Sequence, residues 1–139
     1  MKIDTKVNKS KDYGRQRNVT DIKYIVVQSI DNGPSTHYHV VKERVIQMIP
    51  DKCMSDSVNG ARLNRHGIYH GICTKYNSLS IGISEDDGLC VHLILTLMQR
   101  YNIAPDNVIR KKDITGEASP EIWTTDDKWD KIKKKLKSI

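Results

Sequence analysis

The feature that most limits what this chain can become is the segment at 22–29, Ile-Lys-Tyr-Ile-Val-Val-Gln-Ser. It is β-branched and aromatic, and it has the length of a strand covered on both faces, so it predicts the central strand of a sheet. Turn chemistry follows in Asp31-Asn32-Gly33-Pro34-Ser35, where Gly supplies positive φ and Pro fixes the bend. Short apolar runs at 38–41 and 45–49, joined by Lys42-Glu43-Arg44, predict a hairpin. A further strand is expected over 79–84, with Gly82 marking a bulge or a close backbone approach. Dense apolar residues over 89–101 predict a helix buried on most of its surface, capped by Asp86 or Asp87 and stopped before Pro105. A short strand is expected at 107–110, then a polar loop through Pro120. Trp129, Ile132, Leu136 and Ile139 recur at helical intervals and predict a terminal helix whose remaining surface is lysine. Strands alternating with helices and loops give an α/β class: a mixed central sheet flanked by helices.

At 139 residues the chain holds one domain. Residues 1–20 carry six basic side chains and little apolar content, and are expected to form a loosely ordered basic lead-in arm before a domain over 21–139. With 37% hydrophobic residues in patterned blocks, disorder is excluded. The formal charge of +6 favours anionic partners at long range. No apolar run reaches the roughly 20 residues that a membrane helix needs, and the polar start is not that of a signal peptide. Cys53, Cys73 and Cys90 form neither an even set nor a close pair, which points to a reduced compartment and to small core residues. Synthesis in the cytoplasm is the expectation. The stretch from Pro50 to Tyr76 is rich in Ser, Asn, Gly, Arg and His, and a loop of this length should border a functional site.

Four blocks, in order, carry a resemblance. Tyr13-Gly14-Arg15 and Arg17-Asn18 lead into the first strand. Thr36-His37-Tyr38-His39-Val40-Val41 and Val45-Ile46-Gln47-Met48-Ile49-Pro50-Asp51 make the hairpin. Asn77-Ser78-Leu79-Ser80-Ile81-Gly82-Ile83 is the most specific block, and the stretch from Val108-Ile109-Arg110 to Ser119-Pro120 closes the series. In these blocks the chain resembles the zinc-dependent N-acetylmuramoyl-L-alanine amidases of phage endolysins and bacterial autolysins, whose fold is shared with peptidoglycan-recognition proteins. The resemblance implies a five- or six-stranded mixed sheet with a zinc cleft along one face. It also implies metal ligands, two His and one Cys or Asp, with an open fourth position.

At the matching positions this chain differs. The first His falls on Gln28, the second on Lys111, the Cys on Ser119, and a transition-state lysine on Glu117. An amide is a poor zinc ligand and an ammonium is none. These four are therefore vestigial positions, with neither catalytic residues nor bound zinc expected. Ser84 stands where a Glu often follows Ser-Ile-Gly-Ile, and the segment between Gln28 and His37 is shorter than its counterpart. What the resemblance leaves is a binding cleft walled by His37, Tyr38, Asn77, His66 and His70, with peptidoglycan, a muropeptide or a protein as partner. Release to the cell wall, as for phage endolysins, is compatible with the lack of a signal peptide.

The main alternative is an active cell-wall amidase with a rebuilt metal site drawn from His37, His66, His70 and Cys73. The other is a scaffold or regulatory protein that keeps only the fold. His66 and His70 are four apart, but Gly67 and Gly71 argue against the helix that would align them. Ser119 near Lys111 or Lys112 shows no signature of a buried base, and is read as a turn residue. Trp123 and Trp129 are expected to dock the terminal helix. No nucleic-acid motif accompanies the basic charge, so nucleic acid is not an expected partner.

Overall fold

The apolar run at the start of the domain becomes β2 (Tyr24–Ser29) in the computed structural model, which describes residues 1–7, 13–30, 36–55, 71–85 and 87–138. β2 pairs in parallel with β5 (Ser78–Ile83) on one side and with β6 (Val108–Arg110) on the other. β3 (Tyr38–Val41) joins β5 in parallel, and β4 (Arg44–Gln47) pairs antiparallel with β3. With β1 (Asp4–Thr5) parallel to β4, the sheet runs β1-β4-β3-β5-β2-β6. The expected α/β class, with a mixed sheet flanked by helices, holds.

Strand alternation sends Ile25, Val27, Tyr38, Val40, Leu79, Ile81, Ile83 and Val108 to one face. There they meet Leu93, Ile94 and Leu97 of α2 (Asp87–Tyr101) and Trp129, Ile132 and Leu136 of α4 (Asp126–Lys137) in the main core. α2 stops where Asn102 turns left-handed at φ 54° and the Ile103 N–H bonds back to the Met98 carbonyl at 2.9 Å. α4 starts earlier than its apolar stripe because Thr125 caps it, accepting from the Lys128 N–H. Ile139 and Asp86 fall outside the described residues, and Asp87 is the first residue of α2. No helix among the described residues is long and apolar enough to cross a membrane.

Two short helices replace expected loop. α1 (Ile72–Tyr76) ends on Asn77 in the left-handed region at φ 50°. α3 (Lys111–Thr115) is started by Asp113, whose carboxylate accepts the Arg110 N–H at 2.9 Å, and it ends at Gly116 with φ 82°. α3 depends on the Asp113 contact and α1 is a turn stopped by Asn77, and both are too short to show an apolar period.

The described residues of the lead-in pack on the domain. Asp4 and Thr5 extend the sheet edge along β4, and Tyr13 is buried with Ile49 and Cys53 in a second, small core. Arg17 reaches furthest in. Its guanidinium donates to the carbonyls of Asp51 (3.0 Å) and Ser78 (2.7 Å) and to Asn77 Oδ1 (3.1 Å). Backbone pairing and one arginine hold this segment, so its poverty in apolar residues was misleading.

Beside Arg17 lies a buried polar network. His37 is fully buried; its Nδ1 accepts the Ser80 N–H at 3.0 Å and its Nε2 faces the Cys53 carbonyl at 2.7 Å. Together these partners require the neutral imidazole protonated on Nε2. Burial, reinforced by the Arg17 charge, pushes the His37 pKa down to about 4. Tyr38 donates to Asp51 Oδ1 at 2.7 Å, and Tyr101 donates to Asp51 Oδ2, tying the end of α2 to the hairpin. Burial and the Asp51 carboxylate push the Tyr101 hydroxyl up to about 12.

On the other flank, Arg110 is 4% exposed and binds the Trp123 and Thr124 carbonyls, Asp113 and Asp126, with Trp129 5.4 Å away under the guanidinium. It joins β6 to α3, to the turn at Glu121–Trp123 and to α4.

Two predictions follow from these buried groups. Between pH 6.5 and 4 the unfolded chain protonates His37 while the folded one does not, so stability falls as pH drops through that window and levels off below it. The expected loss is about 3 kcal/mol, at about 1.4 kcal/mol per pKa unit, measured by urea unfolding at pH 7 and pH 4; His37→Gln should flatten the dependence. Arg110→Leu should destabilise by roughly 3 kcal/mol in the same assay, because it strands buried carbonyls and the Asp113 carboxylate.

Candidate functional site

β2 and β6 run parallel, and β2 continues past the end of β6 at Arg110 to Ser29, so the segments that leave them diverge from one edge of the sheet. Between them lies a cavity of about 430 Å³, lined by Gln28, Ser29 and Ile30 from the end of β2 and by Lys111, Glu117, Ala118, Ser119 and Glu121 from the segment after β6. All four substituted positions, Gln28, Lys111, Glu117 and Ser119, therefore line one pocket. The C-terminal edge of parallel strands is where open α/β sheets place their ligand sites.

Hydrogen bonds fix the pocket wall. The Ser29 N–H donates to Ser119 Oγ at 2.9 Å, and the Glu121 N–H donates to Ser29 Oγ at 3.0 Å. Within the wall, the Lys112 N–H donates to the Ser119 carbonyl and the Ser119 N–H to the Glu117 carbonyl, at 2.9 and 2.8 Å. The Ser119–Pro120 peptide is cis. Across the wall, Lys111 Nζ pairs with Glu117 Oε2 at 3.3 Å. Ser119 serves as a structural acceptor here, in keeping with its reading as a turn residue.

Gln28 is the group left over. It is 8% exposed and lines the cavity, yet its side-chain amide makes no hydrogen bond among the described residues. Among the described residues the buried side-chain polar atoms left without a partner are Ser78 Oγ and Trp123 Nε1, so the Gln28 amide is open to the pocket rather than sealed from water. Its neighbours in register are Gly82 on β5 and, beyond it, His39 on β3. A Cβ at Gly82 would stand 3.0 Å from Ile30 Cγ1, 3.3 Å from Thr36 Oγ1 and 3.5 Å from His39 Cδ2. The expected close approach at Gly82 is thus real: Ile30 folds down onto the glycine and in doing so becomes part of the pocket wall.

The residues present do not fit zinc. A zinc site of this kind needs deprotonated nitrogen, sulfur or carboxylate donors converging on one point. Here the pocket offers a neutral amide, an ammonium, a hydroxyl already accepting a backbone N–H, and a carboxylate already paired with that ammonium. Among the described residues no group of three or more His, Cys, Asp or Glu side chains is arranged to hold a metal. For the relocated site, His66 and His70 lie outside the described residues. The Arg17 guanidinium stands 3.3 Å from His37 Nε2 and 3.5 Å from Cys73 Sγ, a cation where the metal would have to be.

The expected cleft walls need correction. His37 and Tyr38 are buried, at 0% and 1% exposure, and Asn77 is taken up by its bonds to Arg17 and to the Asp21 carbonyl. His37 and Tyr38 brace the segment around Asp51, while Asn77 stays half-exposed. Alternation explains the error at Tyr38, which points into the main core; His37 points the other way but is roofed by Cys53 and Arg17. Ser29, Ile30, Ala118 and Glu121 line the pocket without having been singled out in the sequence. Glu121 directly follows the retained Pro120, and that proximity was the available signal.

No family model matches the sequence, and no curated protein matches it significantly. Solved structures do match. A mutant of PlyL is 22% identical and covers 100% of both chains with a TM-score of 0.69. The PlyG catalytic domain is 23% identical over 99% of this chain and 94% of its own, with a TM-score of 0.65. A mutant endolysin from Bacillus subtilis is 20% identical over 97% and 98%, with a TM-score of 0.64. From its first residues to its terminal helix, this chain has the fold of these endolysin structures.

Proposed function

We propose that this chain is an amidase-like domain that has exchanged zinc hydrolysis for binding, and that it holds a peptidoglycan fragment through the peptide part of the molecule. The observation that carries this reading is Gln28: a residue only 8% exposed that lines a cavity of about 430 Å³ and whose side-chain amide makes no hydrogen bond among the described residues. A peptide group is the natural complement of such an amide. Its carbonyl accepts from Nε2 and its N–H donates to Oε1, and both partners leave water together. Ile30 and Ala118 supply apolar wall beside it.

The metal-ligand positions support binding rather than cleavage. Hydrolysis in the family that the sequence resembles uses the metal to activate water, and none of the three positions retains a zinc-binding side chain. Nor does the pocket offer a substitute. Ser119 is held as an acceptor by Ser29, and the Lys111 amine is engaged by Glu117. The fold shared with endolysin structures supports a peptidoglycan-derived ligand as the first to test.

Purified protein should bind a soluble muropeptide in calorimetry without cleaving it, and added zinc should change neither result. Gln28→Leu should weaken binding about tenfold while leaving the thermal midpoint unchanged, since the amide makes no hydrogen bond on which the fold depends. Zinc-dependent release of the peptide would contradict the reading.

A further inference from the structure

We infer that Gly82 governs access to the Gln28 amide, by giving the Ile30 side chain a place to lie outside the cavity. The inference rests on the reading of this pocket as a peptide site and adds a positioning residue to it. Gly82 sits inside β5 in an ordinary strand conformation, so its lack of a side chain answers a need for space and not for backbone freedom.

The space above Gly82 is bounded on two sides. On the β3 side stand Thr36 Oγ1 and His39 Cδ2, 3.3 and 3.5 Å from where a Cβ would be. Thr36 is 1% exposed and its hydroxyl donates to the Tyr38 carbonyl at 3.0 Å, so this side does not yield. On the β2 side stands Ile30, whose Cγ1 would be only 3.0 Å away. That is closer than the roughly 3.5–4.0 Å of an ordinary carbon–carbon contact. Ile30 is half-buried, and its N–H reaches the Ile83 carbonyl at 3.4 Å, a long bond, so Ile30 is the partner that gives way. Gln28, two residues before it, pairs in register with Gly82, and both Gln28 and Ile30 line the cavity. A methyl at position 82 therefore pushes Ile30 by about 0.5–1 Å away from β3, toward the cavity and the Gln28 amide.

The test is a double-mutant cycle, with muropeptide affinity read by calorimetry well below the thermal midpoint of each variant. Gly82→Ala should weaken binding about tenfold in the original chain. In the Ile30→Ala background, where the atom that the methyl meets is gone, the same change should cost less than about twofold. In the ligand-free protein, Gly82→Ala should shift the Gln28 side-chain amide resonances, and in the Ile30→Ala background it should leave them in place. Equal affinities of the original chain and Gly82→Ala, or an equal loss in both backgrounds, would overturn the role of Gly82 and leave the peptide site standing. Unmoved Gln28 resonances in Gly82→Ala would overturn that role whether or not a ligand binds. No binding by the original chain would overturn the peptide site and the inference together.

Discussion

Everything in this molecule is arranged around the parallel pairing of β2 with β5 and β6. Parallel neighbours cannot be joined by a tight turn, so each must be reached by a long crossover, and here the chain leaves β2 toward β3 on one side and later returns to β6 on the other. Successive connections therefore separate at the C-terminal end of β2. That separation opens the cavity, and it places Gln28, the next-to-last residue of the strand, at its wall. α2 and α4 cover the opposite face of the sheet, so the polar end of the strand is turned to the opening.

Two neutral hydrogen bonds and one ion pair hold the pocket together. In a zinc site, the ion would gather the end of β2 and the segment after β6 onto one point. Here the same segments are joined by the Ser29 N–H on Ser119 Oγ, by the Glu121 N–H on Ser29 Oγ and by the Lys111–Glu117 pair. Each is a weaker tie than a metal–ligand bond, but Arg110 lies immediately before this segment and locks α3 and the start of α4 from beneath. The wall is thus rigid without an ion, and its inner lining is free to present an amide to a ligand.

Much of the fold was legible because it is written in hydrophobic periodicity. The run at 22–29, the hairpin and the strand containing Gly82 are continuous apolar or alternating segments, and α2 and α4 carry dense or striped apolar faces, so burial alone dictates them. What was illegible is held by lone polar contacts: α3 by Asp113, the lead-in by Arg17, the hairpin's grip on α2 by Asp51. No period announces such contacts. The site shows the same division. Gln28, Lys111, Glu117 and Ser119 were found by comparison with a known pattern and do share a pocket, whereas His37 and Tyr38 looked functional by residue type and are structural. A histidine's role is set by what covers it, and the roof over His37 comes from residues 17 and 53, far away in sequence.

The account stands on the claim that the Gln28 amide is the contact point of a peptide ligand in a pocket that needs no metal. The most direct measurement follows the side-chain amide resonances of Gln28, assigned with a Gln28→Leu variant, by nitrogen-15 NMR during titration of a muropeptide into chelator-treated protein. The account predicts a saturable shift of both Gln28 amide protons, at ligand concentrations that leave the His37 ring signals unmoved. An unmoved Gln28 resonance at saturating ligand, or a shift that requires added zinc, would contradict it.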